Sequence, residues 1–193
     1  LYNQVSRESS KTCCAGQDID DAKRVAEKFD FPHYVLDYQD RFFDKVIDKF
    51  VESYAKGETP IPCVTCNQTV KFNDLLNSAK QQKADALVTG HYVRRVGGEK
   101  NALMFKAKDP KKDQSYFLFA TTRNQLDYLR FPLGNYLKTE IREIAEQLSL
   151  PVKNKPDSQD ICFVTKDSYR SLIEKLKPES FKSGKIINLI GEV

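Results

Sequence analysis

The chain has 193 residues, 30% of them charged and 40% hydrophobic, a globular composition with room for one full domain and the beginning of another. No apolar run approaches the length of a membrane span, and the net charge of +4 permits a polyanionic partner without demanding one. The five cysteines, at positions 13, 14, 63, 66 and 162, are an odd number without the rhythm of a disulfide framework, which points to a reducing, cytoplasmic setting.

In chain order, helices alternate with strands. Over residues 18–29, Ile19, Ala22, Val25, Ala26 and Phe29 share a helical face, and Asp18, Asp20 and Asp21 sit where the helix dipole favours negative charge. Pro32 ends that helix, and residues 33–37 predict a short strand. A second helix is expected over 40–54, on the spacing of Phe43, Val46, Ile47, Phe50 and Tyr54. Gly57 stops it, and Pro60 and Pro62 hold the next stretch extended. Phe72, Leu75, Leu76 and Ala79 mark a third helix, which places Cys66 and Asn67 just before its N-terminus.

Residues 84–89 predict a strand buried on both faces, ending at Gly90-His91-Tyr92. Residues 93–106 suit a hairpin turning at Gly97-Gly98. Two short helices are expected over 113–122 and 124–129, and an amphipathic helix over 139–150 through Ile141, Ile144, Ala145 and Leu148. Residues 161–164 predict a last short strand, and 168–176 a helix that Pro178 punctuates. This alternation argues for an α/β domain with a parallel sheet. The character changes after Lys166, and Gly184 onward reads as the opening of a further domain. Leu1 and the closing Gly191-Glu192-Val193 both read as cuts in a longer protein.

Two cysteines stand out. Cys66 lies in Thr59-Pro60-Ile61-Pro62-Cys63-Val64-Thr65-Cys66-Asn67, and Cys162 in Asp157-Ser158-Gln159-Asp160-Ile161-Cys162-Phe163. Each follows polar, loop-forming residues and precedes a periodic segment, where a scaffold presents reactive groups. Such a pair suits sulfur chemistry, one thiol carrying a sulfur and the other resolving the intermediate. A helix-start position would favour the Cys66 thiolate. Equally, either cysteine can serve as a small hydrophobe. Cys63 and Cys66 form C-x-x-C, which raises a zinc or redox alternative, although no second C-x-x-C exists to complete a zinc site. His91 alone reads as a hydrogen-bonded structural histidine. Lys106, Lys108, Lys111 and Lys112 form a basic stretch beside Asp113 and Gln114, able to hold phosphates or simply to face solvent.

Taken together, these segments resemble the bacterial tRNA-specific 2-thiouridylase family. The resemblance rests on Cys13-Cys14 before the Asp-rich helix, the run from Thr59 through Asn67 to Phe72, Thr89-Gly90-His91-Tyr92, Lys112-Asp113-Gln114-Ser115-Tyr116-Phe117-Leu118, Phe131-Pro132-Leu133-Gly134, and Asp157 to Phe163, all in family order. It implies a Rossmann-like fold of the adenine nucleotide alpha hydrolase type, with residues 1–166 as the catalytic ATP-pyrophosphatase domain and 167–193 as the start of a central linker domain. A phosphate loop is expected upstream of Leu1, so the piece alone is expected to be inactive.

The implied activity is ATP- and Mg2+-dependent 2-thiolation of the tRNA wobble uridine: adenylation of its carbon-2 oxygen, then sulfur transfer from a cysteine persulfide. By match to the family motifs, Cys162 would carry the persulfide and Cys66 would be the second catalytic cysteine, the nucleophile, the two closing a disulfide at the end of each cycle. Gly90 would contact ATP. His91, Lys112, Asp113 and Gln114 would contact the tRNA anticodon loop, and Ile61, Pro62 and Cys63 the target base. Cys63 stands where many family members carry Asp, which removes a general base from that place. A cysteine desulfurase or sulfur-relay protein would load the sulfur. Two other readings are an ATP pyrophosphatase that activates a small molecule, which would not need paired cysteines, and a zinc- or redox-regulated RNA-binding module.

Overall fold

A computed structural model of the chain describes residues 16–157, 160–164 and 169–192. Helix α1 (Gly16–Lys28) covers the expected stretch up to Lys28 and carries Asp18 in its first turn. Its expected apolar face is only partly used: Ala26 is buried, whereas Ile19 and Phe29 are exposed. Asp21 is buried instead, bonded to Gln17, Arg24 and, at 2.6 Å, Lys155. Lys155 also pairs with Asp18, so the stretch around Lys155 is tied electrostatically to α1.

The strand expected over 33–37 does not form. Tyr34, Val35 and Leu36 are 74%, 62% and 43% exposed, and no strand among the described residues pairs with them. A strand is held by its neighbours' hydrogen bonds, so local β-propensity alone does not make one.

Helix α2 is continuous through Gln39–Phe42, a π-wound stretch Phe43–Ile47, and Asp48–Ala55. Phe42, Val46, Ile47, Phe50 and Val51 are all buried along it. Gly57, at φ 79°, takes up the left-handed backbone that ends the helix, and the amides of Gly57 and Glu58 close on the carbonyls of Tyr54 and Ser53. Helix α3 runs through Pro62–Cys66, a π-wound Asn67–Leu75, and Leu76–Gln81. Arg41 and Asp74, 2.6 Å apart, join α2 to α3.

Strand β1 (Leu87–Val88) pairs in parallel with β4 (Leu129–Arg130), Leu87 opposite Leu129. The expected α/β class with a parallel pair and flanking helices is therefore present. The strand is shorter than residues 84–89 suggested and open on one face, Val88 being 61% exposed. Between β1 and β4 lie the antiparallel hairpin β2 (Val93–Val96) and β3 (Leu103–Lys106), turning through Gly97-Gly98 as expected, the 3-10 turn Ser115–Leu118, and helix α4 (Arg123–Tyr128). Thr122 caps α4 in a reciprocal box with Gln125. After β4 come a 3-10 turn (Pro132–Asn135), helix α5 (Lys138–Gln147) and helix α6 (Tyr169–Leu176).

The strand expected over 161–164 is also absent: the backbone there is irregular, with the Val164 amide bonded to the Ile161 carbonyl at 3.0 Å. Its side chains are held by packing instead. The expected domain boundary at 166/167, Cys13, Cys14, Ser158 and Gln159 lie outside the described residues.

Two cores result. The first joins Phe42, Val46, Ile47, Phe50 and Val51 of α2, Cys66 and Val70 of α3, Phe163, and Leu172 and Ile173 of α6. Phe163 meets Phe42 and Phe50 edge-on at 5.8 and 5.1 Å, an arrangement that adds to simple burial. The second joins Phe72 of α3 with Val93, Ala102, Leu118, Leu126, Leu129 and Phe131.

Candidate active site

The two singled-out cysteines, 96 positions apart, come to the same core. Cys66 is one of its buried members, and Cys162, half-buried, packs against it. Cys66 does not precede a helix. Helix α3 starts four residues earlier, at Pro62, because a proline in the first turn lacks only an amide that has no helical partner there. The exposed residue at the helix start is thus Cys63. Packing around its sulfur raises the thiol pKa above its ordinary value of 9.0, and the charge of Lys71 opposes this.

Residues four apart on α3 align Cys63, Asn67 and Lys71 along one stripe. Asn67 is buried, and its Nδ2 donates to the carbonyl of Phe117 at 3.1 Å, which fixes the Ser115–Leu118 turn against the helix. Lys71 acts on His91 as well as on Cys63. The sequence reading missed Lys71, although the four-residue spacing from Cys63 would have marked it. Of the three residues expected at the target base, Ile61 is 37% exposed at the helix cap, Pro62 is buried and Cys63 is exposed.

Gly90 and His91 follow the carboxyl end of β1, the edge where open α/β sheets take ligands. Gly90 is exposed, and a β-carbon there would have Leu133 Cδ1 as its nearest neighbour at 3.7 Å. The backbone is open to a nucleotide, but this fold does not itself demand glycine. His91 Nδ1 lies 2.8 Å from Thr89 Oγ1, and its ring meets Phe72 and Phe131 edge-on. Burial first, and then the Lys71 charge, bring its pKa down to about 4, so the ring is neutral at pH 7.

The 112–114 segment is firmly tied into the fold. Lys112 pairs with Asp157 at 2.8 Å, and Lys138 pairs with the other oxygen of the same carboxylate at 2.9 Å. Hydrogen bonds from Lys112 and then Lys138 hold Asp157 at a pKa of about 2. Asp113 accepts from the Ala107 amide and the Ser115 hydroxyl at 2.8 and 2.6 Å. Gln114 Oε1 accepts from the Tyr92 amide at 2.8 Å, and the Gln114 amide donates back to the Tyr92 carbonyl at 2.9 Å. Gln114 thereby joins the loop of Lys112 to the residue after His91. Asp157, five residues before Cys162, belongs to the same network.

Among the described residues, no cluster of three or more His, Cys, Asp or Glu is placed to hold a metal ion, and no helix is long and apolar enough to cross a membrane. A shallow hollow of about 430 Å³ along α1, lined by Gln17, Asp20, Lys23, Arg24 and Glu27, contains none of the expected site residues.

The tRNA methyl transferase HUP domain family matches residues 1–166. A tRNA-specific 2-thiouridylase MnmA of Orientia tsutsugamushi (strain Boryong) is 57% identical over 194 residues, covering 100% of this chain and 53% of the relative. Proteins of the same name from Rickettsia massiliae (strain Mtu5) and Bartonella bacilliformis (strain ATCC 35685) are each 58% identical. They cover 93% and 94% of this chain, and 49% and 46% of their own lengths. The chain spans about half the length of the curated relatives it matches.

Proposed function

This chain belongs to the tRNA methyl transferase HUP domain family, and on that footing we propose that it is the catalytic part of a cytoplasmic enzyme that exchanges the carbon-2 oxygen of the tRNA wobble uridine for sulfur. The observation that carries the reading is the convergence of Cys66 and Cys162 on one core. ATP, with Mg2+, supplies the adenylyl group that makes the oxygen a good leaving group, and the open backbone at Gly90 would hold the nucleotide. Lys112 and the neutral His91 would hold the RNA. Asp113 and Gln114 would set the shape of that loop, and Ile61, Pro62 and Cys63 would border the target base.

Cys162 would receive a sulfur from a desulfurase or sulfur-relay protein as a persulfide. The terminal sulfur forms a bond to carbon 2 while the carbon–oxygen bond breaks and AMP leaves with the oxygen. The Cys66 thiolate then attacks the Cys162 sulfur, breaking the sulfur–sulfur bond and leaving sulfur on the uridine. The product is a Cys66–Cys162 disulfide, and a two-electron thiol reductant restores both cysteines.

Labelled sulfur from a desulfurase system tests the division of roles in the full-length protein. Label should remain on Cys66→Ser protein and be absent from Cys162→Ser protein, with both variants unable to thiolate tRNA. Label retained only on Cys162→Ser protein would reverse the roles. The product separates this reading from methyl transfer: mass spectrometry of the wobble nucleoside distinguishes exchange of oxygen for sulfur from an added methyl group.

A further inference from the structure

Tyr116 and Phe119 are 62% and 67% exposed, with ring centroids 6.3 Å apart. The backbone beneath them is fixed. Leu118, between them, is 1% exposed in the second core, and the Phe117 carbonyl accepts from Asn67 while its amide donates to Gln114. Tyr116 also rests edge-on against Phe117 at 5.7 Å. With Leu118 buried, the two rings cannot turn inward without tearing the turn from its core. The two ring planes are inclined at 52°, so each adjacent ring offers its own face to a separate flat partner.

Charge identifies the partner. The loop leading into this turn carries Lys106, Lys108, Lys111 and Lys112. Lys108 and Lys112 are engaged by Glu140 and Asp157, whereas Lys106 and Lys111 are exposed and form no ion pair among the described residues. Asp113, bonded to both Ala107 and Ser115, closes the loop and brings its lysines to the aromatic turn. Rings on a turn joined to a loop with two exposed lysines match the alternation of bases and phosphates in a single strand. A duplex, whose bases are stacked within it, has no faces to offer. The turn packs against the first turn of α3, which carries Cys63 and Cys66.

We propose that Tyr116 and Phe119 form a stacking platform for unpaired bases of the RNA loop that carries the target uridine, with Lys106 and Lys111 holding the intervening phosphates. The inference rests on the tRNA reading above.

The test uses the full-length protein and an anticodon stem-loop with 2-aminopurine beside the wobble uridine. Binding should quench the fluorophore through stacking. Tyr116→Ala and Phe119→Ala should each weaken binding by about tenfold or more and relieve the quench. Tyr116→Phe and Phe119→Tyr, which keep the ring, should retain both. Wild-type protein that binds the stem-loop without quenching at any loop position would overturn the platform, with no need for a variant. Alanine variants that bind and quench like wild type would overturn it too. So would a change of oligomeric state in the alanine variants, seen by sedimentation, because the rings would then be covered by a second copy. Wild-type protein that binds no stem-loop at all would instead sink the tRNA reading.

Discussion

Gly134 lies so close to Val93 that a β-carbon on it would come 1.8 Å from the Val93 carbonyl oxygen and 2.3 Å from its carbon. This backbone contact lays the Pro132–Asn135 turn against β2, two residues beyond His91. The Gly134 carbonyl also accepts from the Lys108 amide at 2.9 Å, so the basic loop is fixed to the same point. Gly134→Ala must push two backbones apart. We expect a loss of roughly 3 kcal/mol or more, seen as a fall in Tm of about 10 °C by thermal denaturation. An unchanged Tm would contradict the contact.

His91 makes stability depend on pH in a defined window. Its folded pKa of about 4 lies below the ordinary 6.5, so on acidification the unfolded chain takes up the proton first. The contribution is complete above pH 6.5 and is lost as pH falls towards 4, by up to roughly 3 kcal/mol. Denaturant titrations of wild type and His91→Gln should show this slope only in the wild type. An NMR titration of the ring with its midpoint near 6.5 would refute the buried neutral state.

At Cys63, an exposed residue, the competition between the atoms packed around its sulfur and the charge of Lys71 sets reactivity. Its alkylation should have a midpoint above pH 9.0, because packing around the sulfur outweighs the nearby cation. Lys71→Met removes the opposing charge and should move the midpoint higher still, while Lys71→Arg should hold it. The rate of iodoacetamide labelling against pH, followed by peptide mass spectrometry, measures both. A downward shift in Lys71→Met would show that Lys71 does not face this thiol.

Asp157 shares its charge between Lys112 and Lys138 and so weakens the hold that Lys112 can take on phosphate and keeps Lys138 from it. Asp157→Asn should therefore bind RNA more tightly at low salt. Its log–log salt dependence should steepen by about 0.7 for each added contact to a single strand. Isotherms at three or more salt concentrations give the slope, and equal slopes for the two proteins would mean that Lys112 and Lys138 stay away from RNA.

Much of the helical skeleton is legible in the sequence because burial is periodic in it. Val46 and Phe50 mark α2 and Gly57 marks its end, whereas the helix expected over 113–122 forms only as the 3-10 turn Ser115–Leu118, with Thr122 capping α4 instead. The start of α3 escaped because Pro60 and Pro62 suit an extended chain as well as a helix start, and only Pro62 opens one. The π windings are hidden for a related reason: four-residue intervals such as Cys66 to Val70 fit either winding. Strands at 33–37 and 161–164 were misjudged because a strand's existence depends on its neighbours. The convergence of Cys66 and Cys162 is a property of packing across 96 positions, and no local pattern encodes it.

Val70 and Phe72, two residues apart on α3, are buried in different cores. A helix gripped on two sides cannot roll without prising out a side chain such as Phe72, at a cost of several kcal/mol. Cys66 rides on that helix, so its sulfur is a stationary point of the molecule. Cys162 stands on irregular backbone, with Ile161, Phe163 and Val164 packed on the same core. If the two sulfurs react as proposed, a change in their spacing is expected on the Cys162 side rather than in α3. The tempo of sulfur handling would be set by how fast that short stretch rearranges, with α3 serving as its fixed reference.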